Sequence, residues 1–124
     1  MLVGEQEIYL IRDFIVQLNS TKESIVVEGK KDAHALRVLG FSGRIIEFHK
    51  FGGVVNFADS VAKYQKLIVM FDSDKKGRYL TGKIIHLLQR RTKIDLSFKR
   101  KLGIITKGKI RFIEQLICYE SHMI

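Results

Sequence analysis

Short β-branched runs alternate with amphipathic, helix-spaced stretches along almost all of this sequence, and no proline interrupts them. That alternation constrains the fold more than any other feature. The run Lys66 to Phe71 (KLIVMF) is short and nearly all apolar, which predicts a strand buried on both faces. Ser24 to Gly29 (SIVVEG) and Arg44 to Phe48 predict two more strands, and Ile94 to Phe98 or Leu102 to Thr106 supplies one or two others. Helical patterns lie between and around them. Glu5 to Leu18 aligns Ile8, Ile11, Ile15 and Leu18, and Lys30 to Leu39 is closed by Gly40. Val54 to Tyr64 follows a Gly52-Gly53 turn, and Gly77 to Arg91 turns Leu80, Ile84, Leu87 and Leu88 inward. Ile110 to Tyr119 predicts a closing helix with Ile110, Ile113, Leu116 and Ile117 on one face. Strands joined through helices over connections this short pair in parallel through right-handed crossovers. The expected class is α/β: a three-layer α/β/α sandwich around a central, mainly parallel sheet of about four strands.

Charge is segregated along the chain. Residues 75–111 hold 13 basic residues and one acid, Asp95, a surplus of 12 that exceeds the +9 of the whole 124-residue chain. The remainder is slightly acidic. Surface lysines usually alternate with acids, so this concentration points to a polyanionic partner, nucleic acid above all. No apolar run approaches the roughly 18 residues that cross a bilayer. The N-terminal MLVGEQEIYLIRD carries acids where a secretory signal carries basic residues, so a cytoplasmic protein is expected. The single cysteine, Cys118, excludes an intramolecular disulfide framework and a multi-cysteine zinc site; among apolar neighbours in the last helix it is expected to be buried and inert.

Two predicted strands end in acids. Glu28 closes the first, just before Gly29, and Asp72 and Asp74 follow the third, two residues apart. In open parallel sheets ligands bind at the carboxyl ends of the strands, where folding would gather these three carboxylates. Their mutual repulsion calls for a divalent cation, and an oxygen-only ligand set favours Mg²⁺ or Mn²⁺ over zinc. Taken alone, Asp-Ser-Asp before a helix also fits a plain N-cap. The histidines His34, His49, His86 and His122 have no metal-ligand spacing, and the tyrosines fit core or interface positions.

The segments IVVEGKKDAHALRVLG and KLIVMFDSDKKGRYLTGKI together resemble the Toprim domain shared by topoisomerases, DnaG-type primases, OLD-family and M5-type ribonucleases, and RecR. The first motif of that family, a hydrophobic strand ending in Glu-Gly, is matched by Val27-Glu28-Gly29. The second, a hydrophobic strand ending in Asp-x-Asp with a glycine soon after, is matched by Phe71-Asp72-Ser73-Asp74 and Gly77. The resemblance spans about Ser24 to Thr106 and implies a Rossmann-like fold. It divides residues 1–124, read as a single domain, into an N-terminal helix (1–20), a Toprim core (21–107) and a C-terminal helix (108–124).

The resemblance also implies roles. Glu28, Asp72 and Asp74 would hold one or two Mg²⁺ ions, with Glu28 also acting as general acid or base. Lys30, Lys31, Lys75, Lys76 and Arg78, flanking the strand ends, would meet the phosphates of RNA or DNA. The length leaves no room for the gate of a topoisomerase or the accessory domains of a primase, so a small stand-alone Toprim protein of archaeal type is expected. Two activities fit it: a Mg²⁺-dependent, nuclease-like action on phosphodiesters, or non-catalytic binding of nucleic acid or of protein partners. A homodimer or a larger protein complex fits either.

Overall fold

The computed structural model describes residues 3–123. Helix α1 (Glu5–Ser20) leads into a sheet of four strands: β1 (Ser24–Val27), β2 (Ile45–Glu47), β3 (Lys66–Val69) and β4 (Lys93–Asp95). Helix α2 (Lys30–Val38) joins β1 to β2, α3 (Val54–Val61) joins β2 to β3, and α4 (Lys75–Leu88) joins β3 to β4. Helix α5 (Ser97–Ile105) and a 3-10 segment, Ile113–His122, complete the chain. The strand order is β2-β1-β3-β4 and every pairing is parallel, with Val26 opposite Ile46 and Val69, and Leu67 opposite Ile94. The expected three-layer α/β class is what the chain adopts.

This order positions the site. The chain first steps from β1 outward to β2, then returns past β1 to β3 and β4. Right-handed crossovers that reverse direction must place their helices on opposite faces of the sheet. Accordingly α2 lies with α1 and α5 on one face, and α3 and α4 lie on the other. Strand residues alternate between the two cores. Ile25, Val27, Ile68 and Met70 pack with Phe14, Leu18, Leu36, Leu102 and Tyr119. Val26, Leu67, Val69 and Phe71 pack with Phe57, Val61, Ile84 and Leu88. In open parallel sheets the ligand crevice lies at the strands' carboxyl ends where the order reverses, here between β1 and β3. Glu28 and Asp72 stand at its two sides.

Four sequence-based readings change. Leu102 to Thr106 is not a strand but the end of α5, whose first turn is set by Asp95: its carboxylate accepts the Ser97 N–H at 2.8 Å. The closing helix is wound as a 3-10 helix. Ile110, Ile113, Leu116 and Tyr119 are buried at intervals of three, the spacing that lines up on a three-residue turn. The same winding turns Ile117 outward, and Cys118 is exposed rather than buried. Its thiol pKa is nonetheless raised, first by partial burial and then by the Glu7 charge, which keeps it protonated. No helix among the described residues is long and apolar enough to cross a membrane.

Candidate functional site

Glu28 leaves β1 directly, and its Oε2 accepts the backbone N–H of Asp72 at 2.8 Å. Asp72 in turn accepts the N–H of Ile113 on Oδ1 at 2.7 Å. Asp74 is the N-cap of α4, accepting the Gly77 N–H on Oδ1 at 2.7 Å. The capping role that Asp-Ser-Asp suggested is therefore real for Asp74. In all three carboxylates one oxygen is held by a backbone donor; among the described residues no backbone N–H takes the second. Gly77 makes the arrangement possible: a Cβ there would stand 2.0 Å from the Asp72 carbonyl oxygen, so any side chain would force α4 off the acidic loop.

The three acids feel one another. Burial pushes the Glu28 carboxyl up to about 6; the Asp72 N–H opposes this, and the Asp72 carboxylate and the Asp74 charge add to the rise. A fourth acid joins them. Asp32, 7% exposed in the first turn of α2, accepts the Gly29 N–H at 3.1 Å, and burial followed by the Asp72 charge raises its pKa too. Sequence reasoning gave Asp32 no role, although it stands in the same stretch as the Glu-Gly motif.

Two further contributions come from parts of the chain distant in sequence. The start of the C-terminal segment braces the acidic loop: Ser73 donates its N–H to the Arg111 carbonyl at 2.6 Å, beside the Ile113 bond to Asp72. Gln115 holds that brace in shape, its Oε1 accepting the N–H groups of Arg111 and Phe112 at 2.9 and 3.0 Å. From α5, Lys99 faces the acids. Burial lowers its pKa, while the charges of Asp72, Glu28 and Asp74 pull it up and Arg78 pulls it down. The signal for Lys99 lay in the pattern Phe98, Leu102, Ile105, which has helical spacing but overlaps two strand-like runs.

The cations named from sequence are distributed unevenly. Arg78 reaches the acidic loop, with Nη1 donating to the Ser73 carbonyl at 3.2 Å. Lys75 and Lys76 are exposed in the first turn of α4. Lys30 and Lys31 are exposed on α2 and line a separate cleft with His34, Glu114 and Ile117. His49 lies near the strand ends through its backbone, donating its N–H to the Glu28 carbonyl, while its ring is bonded to Glu47.

The donor set suits a hard cation. Oxygen is the only ligand atom offered, but among the described residues no three acidic, histidine or cysteine side chains converge closely enough to hold a metal ion between them. An open carboxylate set fits Mg²⁺, which binds through one or two carboxylates and keeps several waters for substrate phosphates to replace.

Comparison with known proteins identifies the family. Residues 23–101 match the Toprim domain family, and the chain belongs to that family. It belongs more narrowly with the small archaeal UPF0292 proteins. It is 35% identical over 96 residues to the UPF0292 protein of Archaeoglobus fulgidus, covering 77% of this chain and 74% of the relative. It is 30% identical over 107 residues to that of Methanocaldococcus jannaschii, covering 84% and 83%. A solved structure, a putative protein from Aquifex aeolicus, superimposes with a TM-score of 0.68 at 26% identity, covering 83% of this chain and 94% of that one. Toprim domains generally bind Mg²⁺ through acidic residues and carry metal-dependent functions on nucleic acids.

Proposed function

We propose that this protein is a cytoplasmic, Mg²⁺-dependent enzyme that cleaves nucleic-acid phosphodiesters. One observation supports the reading: the Glu28 carboxylate accepts the Asp72 N–H at 2.8 Å where the strand order reverses, with Asp74 two residues on and the basic segment directly after it. Asp72 and Asp74 would hold the ion, with Glu28 beside them on the Asp72 N–H. When bound, Mg²⁺ neutralises charge that builds on the phosphodiester oxygens. Glu28, with its pKa raised to about 6, is suited to giving or taking a proton near neutral pH. Lys30, Lys31, Lys75, Lys76 and Arg78 contact phosphates around the strand ends and set the strand in place.

A second reading has its own support. Each acid already carries a backbone hydrogen bond, and Asp74 serves as a helix cap, so the cluster could persist as part of a non-catalytic binding module. One panel separates the two: cleavage and binding of labelled RNA and DNA, with Mg²⁺, Mn²⁺ or EDTA, by wild type and Asp72→Asn. The asparagine retains the Ile113 bond. Turnover that needs the metal and falls at least about a hundredfold in the variant supports the enzyme, since metal stabilisation is worth several kcal/mol. Binding that survives EDTA and Asp72→Asn, with no cleavage, supports the binding module.

A further inference from the structure

A cleft of about 220 Å³ opens between α4 and α5, lined by Arg78, Thr81, Leu96, Lys99 and Arg100. It presents three cationic side chains and no carboxylate. Among the described residues, none of the three cations is within ion-pairing distance of an acid. Lys99 is half-buried, and Arg78, which lines the cleft, bonds the backbone between Asp72 and Asp74, so the cleft borders the acidic loop. Arg78 is steadied by its bond to the Ser73 carbonyl inside the acidic loop. At the outer end a second cleft, about 390 Å³, shares Leu96 and Arg100 and continues along the unpaired edge of β4 past Lys93 and Asp95, the latter paired with Lys66 at 3.5 Å. Together they form a mainly basic track along the edge of β4, with Arg78, Lys99 and Arg100 at its carboxyl end. It lies on the opposite flank of the site from Lys30 and Lys31.

We propose that a single nucleic-acid strand reaches the acid cluster through the α4–α5 cleft, with phosphates on Arg78, Lys99 and Arg100 and a sugar or base over Leu96. The inference rests on the nucleic-acid reading above and gives it a direction. Three unneutralised cations around an apolar floor match the alternation of charged phosphate and apolar sugar or base along a strand. A cleft this small admits a single strand and excludes a duplex.

The test is fluorescence anisotropy with a fluorescein-labelled single-stranded RNA and a DNA of the same sequence, in Ca²⁺ and over a range of salt. Arg78→Ala/Arg100→Ala is expected to weaken binding at least about tenfold, the effect of losing charged hydrogen bonds to phosphate. It is also expected to flatten the slope of log K against log salt by about 1.4, about 0.7 per lost single-strand contact. Lys99→Met, which keeps the apolar stem, should weaken binding by a similar factor. The matched control is Lys22→Ala/Lys63→Ala, two exposed lysines near the amino ends of β1 and β3; it should change affinity by less than about threefold. Arg100→Glu, at an exposed side chain, repeats the test if the double variant does not fold. Equal losses in the cleft and control pairs, or an unchanged salt slope in the cleft pair, overturn the strand path and leave nucleic-acid binding standing. A wild type that binds neither oligonucleotide overturns the nucleic-acid reading, and this inference with it.

Discussion

Glu7 and Glu28 are both carboxylates packed against the same protein body, yet their surroundings drive them in opposite directions. Burial pushes Glu7 up, but the Lys109 ammonium at 2.7 Å and the Tyr119 hydroxyl at 2.5 Å outweigh it and hold its pKa below the usual range. Those bonds tie α1 to chain more than a hundred residues away. Glu28 has a single backbone donor, and the charges that act most on it are those of two more acids. Glu7 is complete as it stands. Glu28 has no ion-pair partner among the described residues, so a bound cation or a proton would relieve its crowding. The contrast separates an acid that holds the fold together from one held ready for a ligand.

The comparison breaks most visibly at Glu7. Replacing it with alanine leaves the Tyr119 hydroxyl and the Lys109 ammonium without their acceptor. That should cost about 1–3 kcal/mol, read as a drop of several degrees in Tm. Glu28→Gln should do the reverse in metal-free protein at pH 7: it removes one repelling charge, keeps an oxygen for the Asp72 N–H and raises Tm. The sign follows from linkage. A carboxyl whose pKa is about 4.5 when unfolded and about 6 when folded binds more protons in the folded state between those values, so the native protein loses stability as pH rises through that window. The advantage of Glu28→Gln over wild type should therefore be absent below about pH 4.5, grow towards pH 6 and then level off. An advantage independent of pH would mean that Glu28 is not crowded.

The smallest effect sharpens the contrast from the side of the brace. Gln115 touches neither acid, but it shapes the turn whose Ile113 N–H fixes Asp72. Gln115→Ala should lower kcat about fivefold with little change in KM, and Gln115→Glu, which restores the acceptor, should recover most of it. A loss that appears only as a lower Tm would make Gln115 a stability residue and nothing more.

The parts of this picture legible in sequence are those carried by local pattern. KLIVMF and SIVV name their strands because a doubly buried strand in a parallel sheet is apolar throughout, and the acids that end them are adjacent in sequence. Their meeting follows from strand order, which alternation with helices largely dictates. What escaped was set by longer-range partners. Leu102 to Thr106 reads equally as strand or helix; the decision falls to the turn in which Asp95 accepts the Ser97 N–H and to packing of Leu102 in the core. Misreading that run left Lys99 without a direction. The Arg111–Ile113 brace joins the site across the fold, and no spacing within the sequence announces it, whereas Asp32 is held locally by the Gly29 N–H beside the Glu-Gly motif. The exposure of Cys118 turned on whether the last segment winds at three residues per turn or 3.6.

The central claim is that the acid cluster at the ends of β1 and β3 awaits a divalent cation. The most direct measurement is thermal melting of wild type and Asp72→Asn over a titration of Mg²⁺ at pH 7. A ligand that binds only the folded state raises Tm as its concentration passes its Kd. A saturable rise in wild type that is lost in Asp72→Asn is the predicted result. No rise, or the same rise in both proteins, would contradict the account.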